Sequence, residues 1–97
     1  MTDRHNRLGT RRLAYLDGVT IDGADVRELQ TRLSELGYPI QVDGRFGPLT
    51  DDCVRQFQTH RGLCTDGVFG PETFQELHRV IRIRDRPATA HYLRDSE

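Results

Sequence analysis

The 97-residue chain has no tryptophan and no lysine, only two cysteines, and aromatic residues at 7% of its length. Each shortage closes off a class of protein. Cys53 and Cys64 form no CxxC pair and have no histidine at ligand spacing nearby, so they make neither a disulfide framework nor a zinc site. Cys53 falls on an apolar helical face and reads as a small buried hydrophobe. His5, His60, His78 and His91 show no metal-ligand spacing either, and no metal or cofactor is expected. The net charge is −1, with bases and acids interleaved, which excludes the electrostatic footprint of a nucleic-acid binder. No run approaches the roughly 18 apolar residues of a membrane span, and the opening MTDRHNRLGTRR lacks the apolar core of a secretory signal, so as written the chain does not export itself. There is no GxSxG, no HExxH and no P-loop, and catalysis has no foothold in the motifs.

What the chain does contain is one octapeptide written nearly twice: DGRFGPLT at 43–50 and DGVFGPET at 66–73. In DGxFGPxT the aspartate accepts hydrogen bonds from amides ahead of it and glycine tolerates positive φ. The phenylalanine anchors the turn in a core, and Gly-Pro launches a helix with its φ preset. Thr50 and Thr73 fall in the first helical turn, where a hydroxyl can bond backbone groups. The rival reading makes Asp43 and Asp66 a catalytic or calcium-binding pair. Calcium loops need oxygens at alternating positions, which neither copy supplies. Acid–base work by two carboxylates needs surroundings that separate their pKa values, whereas copies of one turn give similar surroundings. Scaffolding is the reading carried forward.

Helical periodicity surrounds the turns. Val26, Leu29, Leu33 and Leu36 define a first helix, with Asp22 or Asp25 as candidate caps and Gly37 as its stop. A second is predicted from Gly47–Pro48 through Thr50, Cys53, Val54 and Phe57 to about His60, ended by Gly62. A third starts at Gly70–Pro71 and carries Thr73, Phe74, Leu77 and Ile81 inward. Residues 13–16 and the alternating VIRIR of 80–84 read as short extended segments, or the latter as a continuation of the third helix. The expected fold class is all-α, a small three-helix bundle with two DGxFGPxT helix-entry turns. Residues 1–21 are expected to be an N-terminal extension, partly disordered, 22–84 the domain, and 85–97 a C-terminal tail.

These motifs, in this order, resemble the peptidoglycan-binding domain found beside catalytic domains in bacterial wall hydrolases. The resemblance covers residues 23–77, more than half of the chain. It is carried by DVxxLQxxLxxLGY at Asp25–Tyr38, VDGxFGPxT at Val42–Thr50, VxxFQxxxGL at Val54–Leu63 and DGxxGPxT at Asp66–Thr73. Cys53 stands where alanine is usual, and Thr65 where an apolar residue is common. The resemblance implies a three-helix module that binds peptidoglycan or muropeptides without cleaving them and tethers an attached catalytic domain or associated protein to the wall. A scaffold domain that uses the same fold to bind a protein partner, in the cytoplasm, is the competing reading. The setting would be the cell wall if the chain belongs to an exported protein, and the cytoplasm if it is complete.

Peptidoglycan presents sugar hydroxyl and acetamido groups and stem peptides rich in carboxylates and amides, for which aromatic faces and arginine forks are suited. With tryptophan absent, Tyr38 is the stacking candidate, set against a ring that caps the core. Arg45 is the position where the two turns differ in character, since the second copy has Val68. The candidate ligand face combines Tyr38, Asp43, Gly44, Arg45 and Thr50 with Arg55 from the neighbouring helix. Gln30 and Gln58, in similar LQ and FQ contexts, either brace a loop or meet a ligand, and bracing is the safer reading.

Overall fold

The computed structural model describes residues 8, 9 and 11–84; the expected disorder before residue 8 and the tail at 85–97 lie outside the described residues. Helix α1 spans Ala24–Glu35, α2 Pro48–His60 and α3 Pro71–Arg84. Strands β1 (Ile21–Asp22) and β2 (Arg45–Phe46) pair antiparallel, with Ile21 opposite Phe46 and Asp22 opposite Arg45. The VIRIR segment is therefore helical, continuing α3 to Arg84.

Each helix begins and ends where local chemistry dictates. Pro48 and Pro71 open α2 and α3, where an absent N–H costs nothing and φ is already helical. Neither Asp22 nor Asp25 caps α1. The N-cap is Gly23, at φ 152°, with no side-chain bond. Asp25 is instead fully buried and held by Arg11, whose Nε and Nη2 reach its carboxylate oxygens at 2.7 and 3.1 Å. Burying a lone carboxylate would be costly, so the pair binds the preceding segment to the helix. Both α1 and α2 end in the same C-terminal motif: Gly37 N–H bonds Ser34 O and Tyr38 N–H bonds Leu33 O, while Gly62 N–H bonds Thr59 O and Leu63 N–H bonds Gln58 O.

The apolar stripes of the helices meet around Phe46, Phe57 and Phe69, each no more than 2% exposed, with Val26, Leu29, Leu33, Cys53, Val54 and Leu77. Phe74, expected inward, is half-buried, edge-on to Phe69 at 6.2 Å. Leu13 completes the core at 0% exposure, and its N–H and C=O both bond Phe69, at 3.1 and 2.7 Å. The packed unit thus reaches back across the boundary expected at residue 22. After Leu13 the chain turns at Asp17–Gly18, both with positive φ, and returns as β1 to pair with the first octapeptide. One N-terminal segment therefore lies against both helix-entry turns.

Candidate functional site

The two turns are built by one hydrogen-bond cassette. Gln30, 1% exposed, donates through Nε2 to Asp43 Oδ1 at 2.9 Å, Arg45 O at 2.9 Å and Thr50 Oγ1 at 3.0 Å. Its Oε1 accepts the N–H groups of Asp43 and Gly44 at 3.0 and 2.8 Å. Gln58 repeats the pattern on Asp66 Oδ1, Val68 O and Thr73 Oγ1 at 3.1, 3.0 and 3.0 Å, and accepts Gly67 N–H at 3.0 Å. A side-chain amide donates through one atom and accepts through another without a charge to desolvate, which suits it to span the turn. Bracing is thus the role of both glutamines.

The aspartates complete each cassette. Asp43 Oδ1 accepts Arg45 N–H and Asp66 Oδ1 accepts Val68 N–H, both at 2.9 Å. The Arg45 N–H, followed by the Gln30 amide, holds the Asp43 carboxyl below its usual range. The Val68 N–H does the same for Asp66, with partial burial opposing and Gln58 assisting. Both carboxylates move in one direction from one cause, the reverse of an acid–base pair. Among the described residues no group of three or more His, Cys, Asp or Glu is placed to hold a metal ion.

The repeat extends into the helices. Val26-Arg27-Glu28-Leu29-Gln30-Thr31 matches Val54-Arg55-Gln56-Phe57-Gln58-Thr59 at an offset of 28, while the turns are offset by 23. The separation from glutamine to aspartate is accordingly 13 positions in the first copy and 8 in the second. Of the five extra residues, three carry α1 further past its glutamine before Gly37 than α2 runs before Gly62, and two lengthen the loop that follows. That longer connection supplies Ile40 and Gln41.

Those residues wall a pocket of about 430 Å³ against the first turn, with Thr20 and Asp22 from the N-terminal segment, Asp43 and Arg45 from the turn, and Pro48, Leu49 and Thr50 from the start of α2. The corresponding hollow at the second turn is about 210 Å³. There Arg12 lies over Gly70, its Cγ and Nε 3.7 Å from where a Cβ would stand, whereas the short Thr20 occupies the same place over Gly47 at 3.8 Å. The first turn is more open and carries charge of both signs; the second is narrowed and lined by Arg11 and Arg12.

Three of the six sequence-derived candidates, Asp43, Arg45 and Thr50, are brought together on this pocket. The Thr50 hydroxyl, 3% exposed, is committed to Gln30 and to Arg45 O at 3.2 Å. Arg45 is exposed, and its guanidinium makes no hydrogen bond or ion pair among the described residues. Gly44 is buried beneath the turn at φ 80°. Tyr38 lies away from the pocket lining: its ring is edge-on to Phe57 at 6.3 Å and stacked on His60 at 5.7 Å, and its hydroxyl meets His60 Nδ1 at 2.8 Å. Arg55 belongs to the second turn, pairing with Asp51 at 3.1 Å and reaching Thr65 O at 3.5 Å. It is the counterpart of Arg27, which reaches Val42 O at 3.5 Å. Thr20, Asp22, Ile40 and Gln41 were not among the candidates. Aligning VRxLQT at 26–31 with VRxFQT at 54–59 would have placed Arg55 at the second turn, but no local signal marks the N-terminal pair.

Comparison with known proteins identifies the family and the fold. Residues 22–77 match the model of the peptidoglycan binding domain family, and the chain belongs to that family. It is 39% identical over 92 residues to the N-acetylmuramoyl-L-alanine amidase CwlM of Mycobacterium tuberculosis, covering 94% of this chain and 22% of the amidase. It is 41% identical over 63 residues to the zinc D-Ala-D-Ala carboxypeptidase of Streptomyces albus G, covering 60% of this chain and 24% of that enzyme. The crystal structure of the SleB N-terminal domain superposes with a TM-score of 0.66 at 37% identity, covering 76% of this chain and 97% of that domain. The chain therefore spans about a quarter or less of the two curated enzymes and nearly all of a solved domain.

Proposed function

We propose that the chain is a non-catalytic module that binds peptidoglycan and holds an attached or associated protein on the wall, with the pocket at the first turn as its contact site. The family and the enzymes that carry related segments support this reading. The observation that carries the site assignment is the asymmetry between two otherwise matched turns: the larger pocket is lined by Asp22, Asp43 and Arg45, whose guanidinium has no partner among the described residues, whereas the smaller hollow is lined by Arg11 and Arg12 without an acid, and its turn bears Val68. A non-catalytic role is supported by the two turn aspartates, which are both depressed in pKa and both committed as acceptors within their turns. Tethering needs only modest affinity, because the wall is polyvalent and an attached partner gains local concentration.

The test is co-sedimentation of the chain with purified sacculi. The chain is expected in the pellet, displaced by soluble muropeptide, with no soluble fragments released from the wall. A chain that stays in the supernatant, or one that solubilises the sacculi, contradicts the proposal.

A further inference from the structure

The charges around the pocket specify more than an anion. Asp22 and Asp43 face Arg45 on the same lining, so carboxylates outnumber guanidinium by one. A ligand carrying only a carboxylate would gain from Arg45 and be repelled by both aspartates. A ligand carrying only an amine would leave Arg45 unmatched. The groups are also available: the Asp22 carboxylate accepts no hydrogen bond among the described residues, its polar tie being Arg11 Nη2 to its backbone oxygen at 2.8 Å. Asp43 commits Oδ1 to the turn, and no bond to its Oδ2 occurs among the described residues. Asp22 and Arg45 stand directly opposite in the β1–β2 register, which sets side chains of opposite charge on one face without joining them in an ion pair. Ile40, Pro48 and Leu49 offer an apolar surface beside them, Leu49 at 67% exposure.

We infer that this pocket receives the free amino-acid end of its ligand, with the ammonium taken by Asp22 and the open oxygen of Asp43, the carboxylate by Arg45, and the carbon chain by the apolar wall. The inference rests on the wall-binding reading and narrows it. In peptidoglycan, an ammonium and a carboxylate on one carbon occur where a stem peptide built on a diamino dicarboxylic acid is not cross-linked, since cross-linking turns the amine into an uncharged amide. The module would then favour uncross-linked wall. Asp22, contributed by the segment that Arg11 clamps, would be the residue that discriminates.

The experiment uses the 97-residue chain and disaccharide-peptides released by muramidase from a wall whose stem peptides contain a diamino dicarboxylic acid, titrated calorimetrically before and after acetylation of their free amines. Removing a charge-assisted contact on this scale is expected to weaken binding about tenfold on acetylation. Asp22→Asn is expected to weaken the unmodified probe by about tenfold and the acetylated probe by less than about twofold, with the unfolding midpoint unchanged. Equal affinity of the wild-type chain for both probes would overturn the inference while leaving wall binding intact, as would an Asp22→Asn variant that loses both probes equally. Failure of the wild-type chain to bind sacculi or either probe would overturn the wall-binding reading and this inference together.

Discussion

The first and second helix-entry turns share the parts that fold them and differ in the side chains that wall their pockets. Each has a buried glutamine on the preceding helix, an aspartate that folds the turn, a glycine at φ 80° or 75°, a core phenylalanine and a buried threonine. At the surface, Arg45 is replaced by Val68, the wall of Ile40 and Gln41 has no counterpart in the shorter connection, and the small Thr20 is exchanged for the stem of Arg12. Duplication thus preserves what folds the chain and releases what does not. Recognition is argued at the copy where the released positions open a pocket with charge on its wall.

The strongest challenge to the common scaffold is to remove its braces one at a time. Gln30→Ala and Gln58→Ala each leave the buried N–H of the turn glycine, Gly44 or Gly67, without its acceptor and empty a buried site, so each is expected to cost on the order of 3 kcal/mol in urea unfolding. The equality matters more than the size. If one substitution were nearly silent, that turn would be held by something other than its glutamine.

Glycine substitutions expose the one place where the two scaffolds are not interchangeable. Alanine at either positive-φ position is strained by about 1–2 kcal/mol. At Gly44 nothing else obstructs it, the nearest atoms being 3.8 Å from the new Cβ. At Gly67 the Cβ would fall 2.5 Å from Asp51 Oδ1 and 2.8 Å from Arg55 Nε, so the Asp51–Arg55 pair must move. Gly67→Ala should therefore lower the unfolding midpoint further than Gly44→Ala; the reverse order would mean that Arg55 does not pack against the second turn.

Acid tests the aspartates. Their native pKa values are depressed, chiefly by the Arg45 and Val68 N–H groups, so their contribution to stability is present above the unfolded value and is lost as pH falls through the native one. Unfolding midpoints should hold steady down to about pH 4 and decline below it. Asp43→Asn and Asp66→Asn should each flatten that decline by a similar amount. Glu76, held low first by Arg79 and then by Arg61, adds to the same limb and remains in both variants.

Much of the frame was legible in the sequence because its determinants are local. Gly-Pro starts, Gly stops and an apolar period gave α1, α2 and α3 at their observed places, and two copies of one turn, with similar surroundings and no calcium-ligand pattern, implied a scaffold rather than a catalytic pair. The elements that escaped are those whose partners are distant. Leu13 enters the core only because Phe69 offers it a backbone bridge, and Ile21–Asp22 becomes a strand only beside Arg45–Phe46. Short polar stretches of this kind carry no period of their own. Arg55, expected to join the ligand face from the neighbouring helix, lies elsewhere because α2 runs from one turn to the other, and by its second turn of helix it serves the next loop. Tyr38, expected as a stacking candidate or a core cap, packs edge-on to Phe57 and stacks on His60, with its hydroxyl meeting His60 Nδ1.

The most direct test exchanges the released positions and leaves the frame alone: Arg45→Val and Val68→Arg, each assayed by co-sedimentation with sacculi alongside thermal unfolding. Arg45→Val is expected to lose about tenfold in wall binding with its unfolding midpoint unmoved, and Val68→Arg to gain nothing in affinity. Undiminished binding by Arg45→Val, or a loss confined to a Val68 variant, would put recognition somewhere other than the first turn.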